Sequence, residues 1–193
     1  MIFCDYSGNC KIAIIFDDTT SLKDRGWAFY CAASIAYSYN SLFTKAVTFG
    51  FHSATKFVEI WNSLDDTYDS VIIICHGYQG GGGIWCRDGD IGFNSGIHTY
   101  TYQFSDLKSH NFNGPVYLYV CHAAQPDING NSVAQAFADL SNNYSYGAVG
   151  NVSQTIIGAW PSDFGDWHEY SPTMNNQSSV VSPVSRLIMV VPA

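Results

Sequence analysis

Runs of apolar residues and their spacing divide the chain into alternating strand and helix patterns. Lys11 to Asp17 holds five consecutive apolar residues, Ile12 to Phe16, and closes on the pair Asp17-Asp18. Such a short β-favouring block predicts a buried strand. Gly26 to Phe43 is alanine-rich and aromatic and apolar nearly all round, the pattern of a buried helix. Ser21 followed by Asp24 offers a loose capping box at its start. Lys45 to Phe51 predicts a second strand. Phe57, Ile60, Trp61 and Leu64 then fall at i, i+3, i+4 and i+7, one face of an amphipathic helix. Two further apolar runs end abruptly on reactive side chains: Val71-Ile72-Ile73-Ile74-Cys75-His76-Gly77 and Val116-Tyr117-Leu118-Tyr119-Val120-Cys121-His122.

Between those runs, Gly77 to Gly114 is glycine-rich. Asp88-Gly89 within it predicts a hairpin, and Phe104 to Lys108 a short helix. Ser132 and Gln135 form a capping box before Val133, Ala136, Phe137 and Leu140, a second amphipathic helix. A strand is expected at Ala148 to Val152, continuing at Thr155 to Ala159. The long polar stretch Pro161 to Pro183 reads as a substrate-binding or autoinhibitory loop, because loops of that length are usually functional or disordered. A last strand is expected at Arg186 to Val191. Alternating strands and helices predict an α/β domain, a mostly parallel sheet with helices on both faces. No repeat or linker divides residues 1–193, so one domain is expected.

Composition narrows the partners. Apolar residues make up 47% of the 193 residues and charged ones 12%, about half the usual share, so the chain folds rather than staying disordered. The net charge is −8, and the eight Lys and Arg are scattered. Nucleic acid and anionic membranes are therefore not expected as partners. No apolar stretch approaches the ~20 residues that span a bilayer. Met1-Ile2-Phe3-Cys4-Asp5 has no basic region before an apolar block, so no cleavable signal is expected. The six cysteines (4, 10, 31, 75, 86 and 121) include at least three in apolar patterns, where cysteine packs as a small hydrophobe. A reducing compartment follows: cytoplasmic, or delivered into a target cell as an effector or toxin would be.

Ligands in parallel sheets gather at the carboxyl ends of the strands. His76 and Cys121 are predicted at two such ends, so an imidazole and a thiol meet as base and nucleophile. The amides of Gly77 and Cys121 would hold an oxyanion, at about 3 kcal/mol of barrier per donor. Cys75 adjoins His76 in one strand and should face the opposite side of the sheet. His122, next to Cys121, should likewise point away from it. A zinc site built on Cys75, His76, Cys86, Cys121 and His122 lacks paired ligand spacing, so no metal or other cofactor is expected. Gly80 to Gly83 lacks the Lys-Ser/Thr of a phosphate loop. No Gly-x-Ser-x-Gly elbow is present either.

The run His76-Gly77-Tyr78-Gln79-Gly80-Gly81-Gly82-Gly83-Ile84, then Asp88-Gly89, then Val116 to Cys121-His122-Ala123 resembles the caspase-like (clan CD) cysteine peptidases. Among these it is closest in motif to metacaspases, caspases and CHAT-type bacterial proteases. The family places its catalytic histidine in His-Gly after the third strand and its cysteine after the fourth. The separation of 45 residues between His76 and Cys121 is near the roughly 50 of caspases. The resemblance implies a three-layer αβα fold and a cysteine endopeptidase with a His76–Cys121 dyad. It implies a protein or peptide substrate and allows self-cleavage. Asp17, Asp18 and Tyr119 would line a substrate pocket, with Arg25 an alternative for acidic substrates. Tyr119 stands two before the cysteine, where metacaspases carry an acid, so a basic-residue preference is not implied. Two other functions use the same residues: an inactive interaction module, and a thiol acyltransferase or amidase.

Overall fold

The structure is a computed structural model that describes residues 10–18, 28, 32–33, 35–36, 45–93, 99–154, 161–163 and 167–173. Five parallel strands form its centre. In spatial order they are β2 (Lys45–Phe51), β1 (Lys11–Asp17), β3 (Ser70–Gly77), β7 (Val116–Val120) and β8 (Ser145–Ala148). β11 (Trp167–Tyr170) closes one edge, antiparallel to β8. β4 (Gly83–Cys86), β5 (Gly89–Gly92) and β6 (Tyr102–Gln103) extend from the far end of β3. A separate two-stranded ribbon pairs β9 (Val152–Gln154) with β10 (Pro161–Asp163).

The sheet separates two cores. On one face Ala13, Ile15, Val71, Ile73, Cys75, Val116, Leu118 and Val120 pack against helices α1 (Ala54–Ser63) and α2 (Val133–Ser141). On the other, Ile12, Ile14, Phe16, Ile72, Ile74, Tyr117 and Tyr119 pack with Ala28, Ala32 and Ile35, whose placement is helical where described. Successive strand residues alternate between these cores, as the pleat requires. The protein is thus α/β with a mostly parallel mixed sheet, compatible with a three-layer arrangement. No helix among the described residues is long and apolar enough to cross a membrane.

Both helices start where a serine satisfies an orphan amide. Ser53 Oγ accepts from Lys56 N at 2.9 Å, and Ser132 Oγ from Gln135 N at 3.1 Å. The second half of the expected capping box is not made, because the Gln135 side chain instead donates to Asp139 and to the Ser171 carbonyl. Ser132→Ala is expected to lower stability by about 1 kcal/mol in a denaturant titration. Trp61 anchors α1, fully buried against Phe137, Phe112 and His110 with its Nε1 donating to the Lys108 carbonyl at 2.8 Å.

Lys11 at the start of β1 binds Asp65 beyond α1 at 2.9 Å. The Lys11 hydrogen bond, aided by Thr67, holds the Asp65 carboxyl down at about 2 against an ordinary 3.8. A depressed carboxyl contributes stability above its unfolded value and loses it as pH falls through the folded one. The melting temperatures of the wild type and Lys11→Met should therefore differ above pH 4 and converge toward pH 2.

Several sequence expectations meet differences. The strand expected at Ala148 to Val152 begins earlier, at Ser145, and a bend at residues 149–150 separates it from β9. The polar stretch from Pro161 contains β10 and β11, so it is not wholly loop. Phe104 to Lys108 contributes a 3₁₀ turn, Phe104–Asp106. Cys10 is disulfide-bonded, whereas Cys75, Cys86 and Cys121 are free. Arg25, Ser21, Asp24, residues 155–159 and the strand expected at 186–191 also lie outside the described residues.

Candidate active site

Register decides where the reactive side chains stand. β3 and β7 run parallel, with Ile74 level with Tyr119 and Cys75 level with Val120. The next residues, His76 and Cys121, are therefore level with each other at the carboxyl end of the sheet. Parity puts both on the face of Ile72, Ile74, Tyr117 and Tyr119, and Cys121 packs against that core. Both are only partly buried. Their strands are immediate neighbours, which are about 4.8 Å apart in any sheet.

Cys75 is the rival thiol, and it faces the other core, fully enclosed. Burial raises its thiol well above the ordinary range, with Cys86 adding to the effect. Burial raises Cys86 as well, helped by Asp17 and Asp90. A protonated thiol is a poor nucleophile, so neither buried cysteine competes with Cys121.

Gly77 follows His76 because nothing larger fits there. A Cβ added at this position would lie 2.0 Å from the Cys121 carbonyl oxygen and 2.7 Å from Val120 Cγ1. Val71 N donates to Pro115 O at 3.2 Å, which sets the phase of the parallel ladder. In that phase the odd-numbered residues of β3 and β7 turn their N–H and C=O groups into the seam between the two strands. The Cys121 amide is accordingly directed at Cys75, the last rung. The Gly77 amide stands one rung beyond it, facing Cys121 rather than β4.

On the other side of His76, β4 runs antiparallel and pairs Trp85 with His76. The rings meet edge-on, with centroids 5.7 Å apart. Trp85 is 38% exposed, one of three exposed large hydrophobic residues among those described. Trp85, His76 and Cys121 thus form a row across β4, β3 and β7. Trp85 belongs to none of the motifs legible in the sequence. The signal for it was the glycine run: a turn centred on Gly80-Gly81 reflects residue 76 onto 85. Gly80, Gly81 and Gly82 all have positive φ (98°, 75° and 88°), which only glycine adopts without strain.

The residues expected to line a substrate pocket separate. Tyr119 lies on the same face as His76 and Cys121, one step behind Cys121, buried, with its ring against Trp167 at 5.3 Å. Asp17 shares the parity of Ala13 and Ile15, is buried, and acts on Cys75 and Cys86 across the opposite core. The pleat turns the Asp17 side chain to the opposite face of the sheet from His76 and Cys121, so the structure does not bring it together with them. Asp18 leaves the strand: its amide donates to Phe51 O at 2.7 Å and its carboxylate meets His52 Nδ1 at 3.6 Å. That contact lies beside β2, with β1 and β3 between it and Cys121.

Neither the comparison with protein families nor that with curated proteins finds a match for this chain. The function therefore rests on the geometry. Among the described residues no group of three or more His, Cys, Asp or Glu side chains is placed to hold a metal ion.

His122 and Val152 complete the surroundings of the thiol. His122 adopts a left-handed backbone (φ 59°). Its amide donates to Gly150 O at 2.8 Å, and its Nδ1 lies 3.1 Å from Val149 O. Val152 meets the sulfur with both backbone groups: its N–H donates to Cys121 Sγ at 3.3 Å, and Sγ donates to its carbonyl at 3.6 Å.

Proposed function

We propose that the protein is a cysteine endopeptidase of the caspase-like type, working through Cys121 and His76. The single observation that carries this reading is the β3–β7 register, which sets an imidazole and the one partly exposed free thiol among the described residues side by side. In chain order the histidine stands at the end of the third parallel strand and the cysteine directly after the fourth, an order that resembles that family's.

In the reaction Cys121 Sγ attacks the scissile carbonyl carbon while His76 accepts the thiol proton. The carbonyl becomes an oxyanion, held by the amides of Gly77 and of Cys121, the latter once it turns from the Cys75 rung. Collapse breaks the C–N bond, and His76 passes its proton to the leaving amine. A thioester remains, and water, deprotonated by His76, hydrolyses it to release the acid and the free thiol. The exposed ring of Trp85 beside His76 supports apolar contact with a protein or peptide chain. The disulfide at Cys10 supports a protein that passes through an oxidising compartment, the delivered effector or toxin rather than a resident of the cytoplasm.

The test is a peptide library combined with a thiol-directed acyloxymethyl ketone peptide. Mass spectrometry should find shortened peptides with new termini, and the label on Cys121. Label on Cys75 or Cys86, or no cleavage of any peptide, would reject the assignment. Transfer of an acyl group to an amine instead of water would identify an acyltransferase.

A further inference from the structure

We infer that residues 149–152 form a latch over the Cys121 thiol, that His122 is its keeper, and that the structure shows the resting state of the site. The inference rests on the proposed dyad and concerns its regulation. A thiol has one hydrogen. Here it goes to the Val152 carbonyl, while the Val152 amide fills the sulfur's acceptor side. The same hydrogen must go to His76 before sulfur can attack. Turnover therefore requires the thiol to leave Val152, by rotation of its side chain together with withdrawal of the segment.

The segment is held by the turn that follows the nucleophile. Ala124 N donates to Ala148 O at 2.9 Å, His122 N to Gly150 O at 2.8 Å, and the His122 ring meets Val149 O at 3.1 Å. The ring contact requires hydrogen on Nδ1, since a carbonyl only accepts. The left-handed conformation of His122 brings its amide and its ring to neighbouring carbonyls of the same segment. Such a conformation is uncommon for a residue other than glycine and costs energy unless its surroundings hold it. Of the three holds, the ring is the one that a side-chain change removes. His122 is thus a positioning residue that acts on Cys121 through Val149 to Val152 and touches no substrate.

Two variants separate the latch from a merely structural role. His122→Gly keeps the left-handed backbone and deletes the ring. His122→Asn keeps that backbone too, with a side-chain amide that can donate to Val149 O. Alkylation of Cys121 by iodoacetamide at fixed pH, mapped by mass spectrometry, should be about fivefold faster in His122→Gly, the factor one ordinary hydrogen bond makes in an opening equilibrium. His122→Asn should return toward the wild-type rate, and hydrogen exchange at the Val152 amide should accelerate in the glycine variant only. Equal alkylation and exchange in wild type and His122→Gly would overturn the latch; so would slower alkylation in a variant that keeps the wild-type melting temperature. Should the glycine variant not fold, slow exchange at the wild-type Val152 amide upholds the latch and exchange at the unprotected rate overturns it. The readouts do not require peptide cleavage. A latch that opens as expected in a protein that cuts no peptide leaves the latch standing and removes the peptidase. Cleavage with no change in alkylation does the reverse.

Discussion

Alanine at His76 is expected to lower peptide turnover by roughly 10²–10⁴-fold, the usual contribution of a positioned general acid and base. Alanine at Cys121 is expected to abolish it. Both variants should keep the wild-type circular dichroism spectrum, since both side chains are only partly buried and neither belongs to the fully enclosed core. A sharper expectation follows from their working as one unit. The thiol has no acceptor for its proton without His76, and His76 has no substrate to serve without the thiol. Residues coupled in this way lose their effects non-additively. The double variant His76→Ala/Cys121→Ala should then be no slower than Cys121→Ala alone. Residual cleavage in Cys121→Ala that His76→Ala reduces further would mean that His76 serves some other nucleophile, and the dyad would fall. The experiment is a kcat/KM measurement on a peptide selected from the library, with both single variants and the double variant prepared in parallel.

Much of the scaffold behind this prediction was legible in the residues. β3 and β7 announce themselves as unbroken β-favouring runs, and α1 shows its buried face directly through Phe57, Ile60 and Trp61. The alternation of side chains along the strand also anticipated that Cys75 would face the opposite side of the sheet from His76, as it does. Asp17 shows where such reasoning ends. Parity states that it faces with Ala13 and Ile15, but in a run that is apolar on both sides nothing marks which face will carry the reactive residues. Only the pairing of Phe16 with Ile74 settles that. β11 was hidden for a different reason. It is a four-residue edge strand, Trp-His-Glu-Tyr, with every side chain half-buried, so it carries no hydrophobic alternation. Tyr146 donates to its Glu169, and Trp167 covers Tyr119, contacts that no local pattern encodes. The latch was least legible of all. It consists of backbone groups of Val149, Gly150 and Val152, and backbone groups are the same in every sequence.

Gly77→Ala is expected to disable the site more severely than its size suggests. The added carbon would stand 2.0 Å from the Cys121 carbonyl oxygen and 2.7 Å from Val120 Cγ1, separations that non-bonded atoms do not sustain. The backbone of β3 must retreat, or the turn after β7 must, and either movement parts His76 from Cys121. Overpacking of this kind costs about 1–3 kcal/mol of stability. Misplacement of reacting groups by about 1 Å costs on the order of 10²-fold in rate. The loss in kcat/KM should therefore exceed what the loss of stability explains, with the protein still folded at the assay temperature. Gly130→Asn makes the appropriate control. Gly130 has a positive φ of 83°, which asparagine tolerates, and a Cβ there meets nothing within 4 Å. That control should keep wild-type turnover. The alkylation rate of Cys121 in Gly77→Ala gives the cause: a change relative to the control places the damage at the nucleophile's turn. An unchanged rate with turnover still lost places it at the oxyanion donor, because the Gly77 amide moves with its own strand. Full turnover in Gly77→Ala would mean that the close approach of these two backbones is not needed for the chemistry, and the oxyanion role of Gly77 would fall with it.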